Sequence, residues 1–200
     1  MLTRLKAKVQ SAIKTQAKTA DKMGLTPNTI SALGILFAFL SALAYAGGRQ
    51  NLSLAVVLLL LSGYCDMLDG ALARLCQKTT LFGGFLDSLL DRYADAAIYA
   101  GIMLGEMCTL HWGLIALIGS LLVSYTRARA EAAGAKIEGV GFAERAERLI
   151  IIAAASIAEI FLKNALEAGI MVLAALTNLT VLQRGFYVYK TLKKREKSEA

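Results

Sequence analysis

Cysteine, histidine, proline and charge are all scarce in this sequence of 200 residues. The three cysteines, Cys65, Cys76 and Cys108, are few, odd in number and set in apolar sequence, which excludes a disulfide scaffold and marks them as buried packing residues. With His111 as the lone histidine, no zinc ligand set can be assembled. Proline occurs once and charged residues make up 18 %, against 56 % hydrophobic residues and a mean hydropathy of +0.55. Such a chain is neither disordered nor an ordinary soluble domain, and a bilayer is the solvent it requires. Lys and Arg number 22 against 15 Asp and Glu. In a membrane chain that excess marks loops facing anionic lipid, so nucleic acid is not an expected partner.

Six stretches read as membrane spans: Thr29–Gly47, Leu52–Cys65, Leu81–Leu104, Met107–Thr126, Leu149–Leu162 and Ala168–Gln183. The first and fourth carry no charge. The second runs into Asp66 and Asp69, and the third contains Asp87, Asp91, Arg92 and Asp95. Ionised groups at depth cost about 2.5 to 3.5 kcal/mol each on insertion scales, so these carboxylates must face one another, a cavity or a cation. Basic residues cluster before the first span, between the second and third, between the fourth and fifth, and after the sixth. This places both termini in the cytoplasm. Leu2, Leu5, Val9, Ile13 and Ala17 recur at helical spacing among lysines, as in a helix lying on a membrane surface. Gly24 should end it, and Asn28 or Thr29 should cap the first span. The expected layout is one all-α integral membrane domain: a surface helix over 1–24, a six-helix catalytic bundle over 25–190 and a basic cytoplasmic tail over 191–200.

Four of the six Asp residues lie between Asp66 and Asp91. Asp66 and Asp69 share one helical face at i and i+3, and Asp87 and Asp91 share another at i and i+4. A hairpin turn over Leu75–Thr80 would set the two helices antiparallel and let the pairs converge. Gly70, Ala73, Gly83 and Gly84 would allow close approach of helices and of a phosphate-bearing ligand. Four carboxylates in one dry pocket need compensation, and an all-oxygen set selects Mg²⁺, Mn²⁺ or Ca²⁺. Two such ions about 3.5 to 4 Å apart would clamp an in-line phosphoryl transfer, leaving one carboxylate as a base. Simple ion pairing with Arg74 and Arg92 is the structural alternative. Asp95 extends the Asp87 and Asp91 stripe by another turn, with hydrogen bonding and pairing to a basic group equally open.

Asp66, Asp69, Gly70, Ala73, Arg74, Gly83, Asp87 and Asp91 match D-x2-D-G-x2-A-R-x8-G-x3-D-x3-D without departure. The sequence thereby resembles the CDP-alcohol phosphatidyltransferase family, and the six-span layout and Thr26-Pro27-Asn28 extend the likeness over nearly the whole chain. The resemblance implies a membrane enzyme, usually homodimeric, that moves a lipid phosphate from a CDP-activated lipid to an alcohol and releases CMP. It assigns Asp66, Asp69 and Asp87 to two Mg²⁺ ions, or to Mn²⁺ in their place, with Asp91 as the base that also touches the second ion. It assigns the CDP-lipid to Asn28, Thr29, Ser31, Gly70, Ala73, Arg74, Thr80 and Gly83.

The acceptor must be read from the second half. Arg127, Arg129, Arg145, Arg148 and Arg184 lie beside the cytoplasmic surface, and arginine suits bidentate binding of phosphate. Pairing with Glu131, Glu144 and Glu147 is the plainer account of the same residues. The stretches Ser124–Glu131 and Glu144–Arg148 resemble the phosphatidylinositol-phosphate and archaetidylinositol-phosphate synthase branch, which implies inositol phosphate as acceptor and either CDP-diacylglycerol or CDP-archaeol as donor. Glycerol phosphate or another alcohol is the alternative acceptor. From other classes, a prenyltransferase would carry its two acidic motifs far apart, and a membrane cation transporter would not need the Gly, Ala and Arg of the signature.

Overall fold

A computed structural model describes residues 13, 15–76, 80–137 and 139–199, with side chains to residue 196. It is helical throughout the ordered elements, with no strand among the described residues. The six main helices are α1 (Pro27–Ala46), α2 (Leu52–Leu75), α3 (Leu81–Leu104), α4 (Leu110–Ala132), α5 (Arg145–Phe161) and α6 (Ala165–Glu199). By length and composition, Pro27–Ala46, Arg49–Leu75 and Ala165–Glu196 can cross a membrane.

Local sequence explains the boundaries. Thr26, extended at φ −96° and ψ 155°, accepts a hydrogen bond from Thr29 N through its hydroxyl, and Pro27 follows at the first helical position. The cap is therefore Thr26, two to three positions ahead of the Asn28 or Thr29 expected. Thr80 caps α3 in the same way by accepting from Gly83 N at 2.9 Å. A 3-10 turn, Arg49–Asn51, joins α1 to α2, entered through Gly48 at φ +76°.

The surface-helix expectation falls partly outside the described residues, which omit 1–12 and 14. Residues 15–22 are helical and stop at Gly24, as the sequence suggests. Ala17 and Ala20 are buried there with Cys65, Ala71 and Leu72, so this segment leans on α2 through its small residues. Cys76, expected to be buried, is only half-buried and donates its thiol to Asp21 at 3.1 Å. Cys65 and Cys108 are buried. The chain after Arg184 remains helical, so tail and last span form a single 35-residue helix.

The helix pairings close a ring. α1 packs on α2 and α3, α3 on α4, α4 on α6, α6 on α5, and α5 on α2. The two aspartate-bearing helices α2 and α3 do not form a major contact with each other, contrary to a simple hairpin, and α1 mediates between them. Small residues on its flanks permit this. A Cβ on Gly34 would sit 3.0 Å from the Cys65 Cβ of α2, and one on Gly101 of α3 would run into the Ala42 carbonyl of α1. Inside the ring, Tyr45, Leu59, Ile98, Tyr99, Ile152 and Leu173 belong to one buried cluster. The tyrosine hydroxyls are satisfied by Ser156 at 2.7 Å and Ser120 at 3.0 Å. Outward-facing apolar residues such as Leu43, Leu60 and Leu182 remain exposed, as a lipid-facing surface requires.

Candidate active site

Successive helices alternate in direction, and the polar residues collect at one end of the ring. Ser31 lies near the start of α1, Asp66 and Asp69 toward the end of α2, and Asp87 and Asp91 near the start of α3. Arg127 is in the last turns of α4, Arg145 opens α5, and Arg184 lies beyond the middle of α6. Chain reversal thus brings to one end residues as far apart in sequence as Ser31 and Arg184.

Asp66, Asp87 and Asp91 each offer a carboxylate oxygen within 4.8 Å of the others. Asp69 belongs to the same pocket but turns toward α1, where the Ser31 hydroxyl donates to its Oδ2 at 2.5 Å. The cluster already attracts a cation. Arg145 Nη1 lies 2.6 Å from Asp66 Oδ1 and 2.8 Å from Asp91 Oδ1, a position between two acids of the trio. An all-oxygen, anionic donor set of this kind fits a hard divalent ion such as Mg²⁺ or Mn²⁺. The alternative of simple ion pairing with Arg74 and Arg92 is only partly present: Arg92 lies 3.8 Å from Asp91, while Asp66 pairs with Arg145 instead.

From these acids a cleft of about 1020 Å³ extends between α3, α4, α5 and α6. Arg127, Arg145, Arg148 and Arg184 line it; Arg129 is exposed and is not among the lining residues. Their engagements differ. Arg127 pairs with Glu131 at 3.0 Å and is half exposed. Arg148 is buried, holding Asp95 Oδ2 at 2.6 Å and the Ala143 carbonyl at 3.0 Å. Arg184, also buried, donates to the Val123 and Val140 carbonyls at 2.6 and 2.7 Å and faces Glu144 at 3.6 Å. Glutamate pairing therefore accounts for Arg127 and in part for Arg184, while Arg145 and Arg148 answer to aspartates.

Of the positions expected to hold the CDP-lipid, Ser31 and Gly70 border these cavities. Ala73 and Arg74 follow one turn beyond Gly70, Asn28 and Thr29 lie at the exposed start of α1, and Thr80 and Gly83 form the α3 cap; none of the six lines the cleft. Arg92 and Ser124 were not assigned a site role from sequence. Arg92 Nη2 donates to Ser124 Oγ at 2.9 Å across the α3–α4 wall of the cleft. Their signal was present only as proximity to Asp91 and to the arginine stretch.

A model of the family described as CDP-alcohol phosphatidyltransferase matches residues 24–181. The chain belongs to that family. It is 41 % identical over 192 residues to the archaetidylinositol phosphate synthase of Pyrococcus horikoshii, covering 96 % of this chain and 98 % of that one. It is 46 % identical over 175 residues to the enzyme of that name from Methanothermobacter thermautotrophicus, covering 87 % and 88 %. The crystal structure of Mycobacterium tuberculosis phosphatidylinositol phosphate synthase with CDP-DAG bound superposes with a TM-score of 0.77 at 32 % identity, covering 88 % of this chain and 93 % of that one. A second structure of that enzyme, in complex with manganese and citrate, gives 0.78 at 32 % identity and 88 % coverage of each chain. Family membership and the long apolar helices make this CDP-alcohol phosphatidyltransferase a membrane protein.

Proposed function

We propose that this phosphatidyltransferase moves the lipid phosphate of a CDP-activated lipid, CDP-archaeol or CDP-diacylglycerol, to a hydroxyl of inositol phosphate and releases CMP. The observation that carries the reading is the confluence of four aspartates and five arginines on connected cavities. Relatives named archaetidylinositol phosphate synthase, one of them matching nearly end to end, support the acceptor.

Asp66, Asp69, Asp87 and Asp91 would hold two divalent ions, Mg²⁺ or Mn²⁺, which supply charge neutralisation of the pyrophosphate and of departing CMP. Asn28, Thr29, Ser31, Gly70, Ala73, Arg74, Thr80 and Gly83 bind the CDP-lipid, with the glycines giving the phosphates access to the backbone. Asp91 accepts the proton of the incoming hydroxyl as its oxygen bonds to the lipid-side phosphorus, and the bond from that phosphorus to the oxygen of CMP breaks. Arg127, Arg145, Arg148 and Arg184 orient the acceptor through its own phosphate, and Arg129 contributes at most from the rim. A neutral acceptor would offer these arginines no phosphate to bind.

The six helices cross the membrane, both termini and the active site face the cytoplasm, and the chain acts as one domain in a homodimer. The basic connections at the end of the ring that holds the site support that orientation. The test is direct. Purified protein given CDP-archaeol, inositol phosphate and Mg²⁺ should release CMP and form a lipid with the mass of the archaetidylinositol phosphate. Absence of that lipid with both CDP-archaeol and CDP-diacylglycerol overturns the proposal.

A further inference from the structure

Asp95 lies outside the family signature and one helical turn beyond Asp91, yet it is 6 % exposed and carries two arginines. Its Oδ2 holds Arg148 Nη2 at 2.6 Å. Its Oδ1 lies 3.5 Å from Arg145 Nε, within ion-pair range but without a hydrogen bond, and that Nε is buried with no hydrogen-bond partner. Arg145 meanwhile spends Nη1 on Asp66 and Asp91. One guanidinium therefore stands between the carboxylates of the candidate metal site and a third, deeper carboxylate it has not fully engaged.

A divalent ion on Asp66 and Asp91 would meet the positive charge of Arg145 at contact distance, and two cations in a poorly hydrated pocket repel strongly. Arg145 must then give up those two acids. Asp95 is the acidic partner already beside it, and a contraction of about half an ångström would bring Nε to the usual N–H···O distance. Because Arg148 fixes Asp95 from the other side, the carboxylate cannot follow Arg145 back toward the cluster. We propose that Asp95 is a positioning residue: it anchors Arg148 and receives Arg145 when Asp66 and Asp91 engage a divalent cation. The inference rests on the metal reading of the aspartate cluster given above.

Mn²⁺ binding to the full-length protein without substrates, read by the electron paramagnetic resonance of free Mn²⁺, tests it. Arg145→Gln removes the competing cation and should tighten Mn²⁺ binding about three- to tenfold, whereas Asp95→Asn leaves Arg145 no other acid and should weaken it about tenfold, the scale of one charge-assisted hydrogen bond. The double variant should bind like Arg145→Gln alone, because Asp95 matters to the ion only through Arg145. A merely structural role for Asp95 would not be rescued in this way. Equal weakening by Asp95→Asn in both backgrounds, or no weakening in either, overturns the inference. So does an Arg145→Gln protein that binds Mn²⁺ no more tightly than the native one, a comparison that holds even if Asp95→Asn fails to fold. A native protein that binds no Mn²⁺ at millimolar concentration overturns the metal reading itself, and this inference with it.

Discussion

The Ser31 hydroxyl on α1 donates to Asp69 Oδ2 on α2 at 2.5 Å, which ties the helix at the centre of the α2–α1–α3 layer to one of the four signature carboxylates. Groups that orient a metal-ligating carboxylate typically matter by about ten- to a hundredfold. Ser31→Ala should lower kcat/KM by about tenfold and raise the Mg²⁺ concentration needed for half activity, with little change in thermal stability. Steady-state assays across a Mg²⁺ series check this, and an unchanged Mg²⁺ requirement contradicts it.

The four aspartates should separate into two behaviours. Asp66→Asn, Asp69→Asn and Asp87→Asn each remove a ligand anion and should abolish both transfer and metal-dependent binding of CDP. Asp91→Asn removes the proton acceptor while leaving most of the ligand set, so it should lose transfer yet keep CDP binding. Thermal protection by CDP in Mn²⁺, measured across the four variants, distinguishes them. Loss of protection in Asp91→Asn alone reverses the roles.

Arg127 lines the cleft and Arg129, two residues on, does not. Arg127→Gln should raise the KM for inositol phosphate by about tenfold, the scale of one charge-assisted hydrogen bond. Arg129→Gln should change it less than about twofold, as for a surface charge. Apparent affinity for the CDP-lipid should be unaffected in both. Equal effects of the two substitutions on acceptor KM contradict the geometry.

At the far end of the ring, buried Glu159 accepts from Arg49 Nη1 at 2.7 Å and from Leu166 N at 3.1 Å, joining the α1–α2 turn to the α5–α6 turn. It stands 14 residues along α5 from Arg145, about 21 Å at helical rise. Glu159→Ala should cost about 1 to 3 kcal/mol in stability by leaving a buried N–H unpaired. Thermal unfolding in detergent should show the loss, while kcat/KM of the folded protein stays near the native value.

Apolar stretches and the signature spacing marked the six helices and the four aspartates, because both are local properties of the chain, while three of these helices are long and apolar enough among the described residues to cross a membrane. The convergence of the aspartates was legible, but its route was not. Spacing suggested that α2 and α3 meet as a hairpin, whereas Gly34 and Gly101 let each pack closely on α1 instead. The distinction between Arg127 and Arg129 depends on helix rotation within the ring, and the capture of Arg145 by Asp66 and Asp91 depends on a contact across 79 residues. Neither has a local signal. Asp95 could be placed one turn beyond Asp91 from sequence, but only the fold supplies Arg148 as its buried partner.

The central claim, that the arginine-lined cleft receives a phosphate-bearing polyol, is tested most directly by an acceptor panel against one CDP-lipid. Inositol phosphate, inositol, glycerol phosphate and serine would be compared by kcat/KM for CMP release. Inositol phosphate should exceed inositol by about a hundredfold or more, since free inositol lacks the phosphate that makes charge-assisted hydrogen bonds to the cleft arginines. It should also exceed glycerol phosphate and serine. A higher kcat/KM for glycerol phosphate would keep the phosphate site and contradict the proposed product, and preference for serine or free inositol would contradict the claim outright.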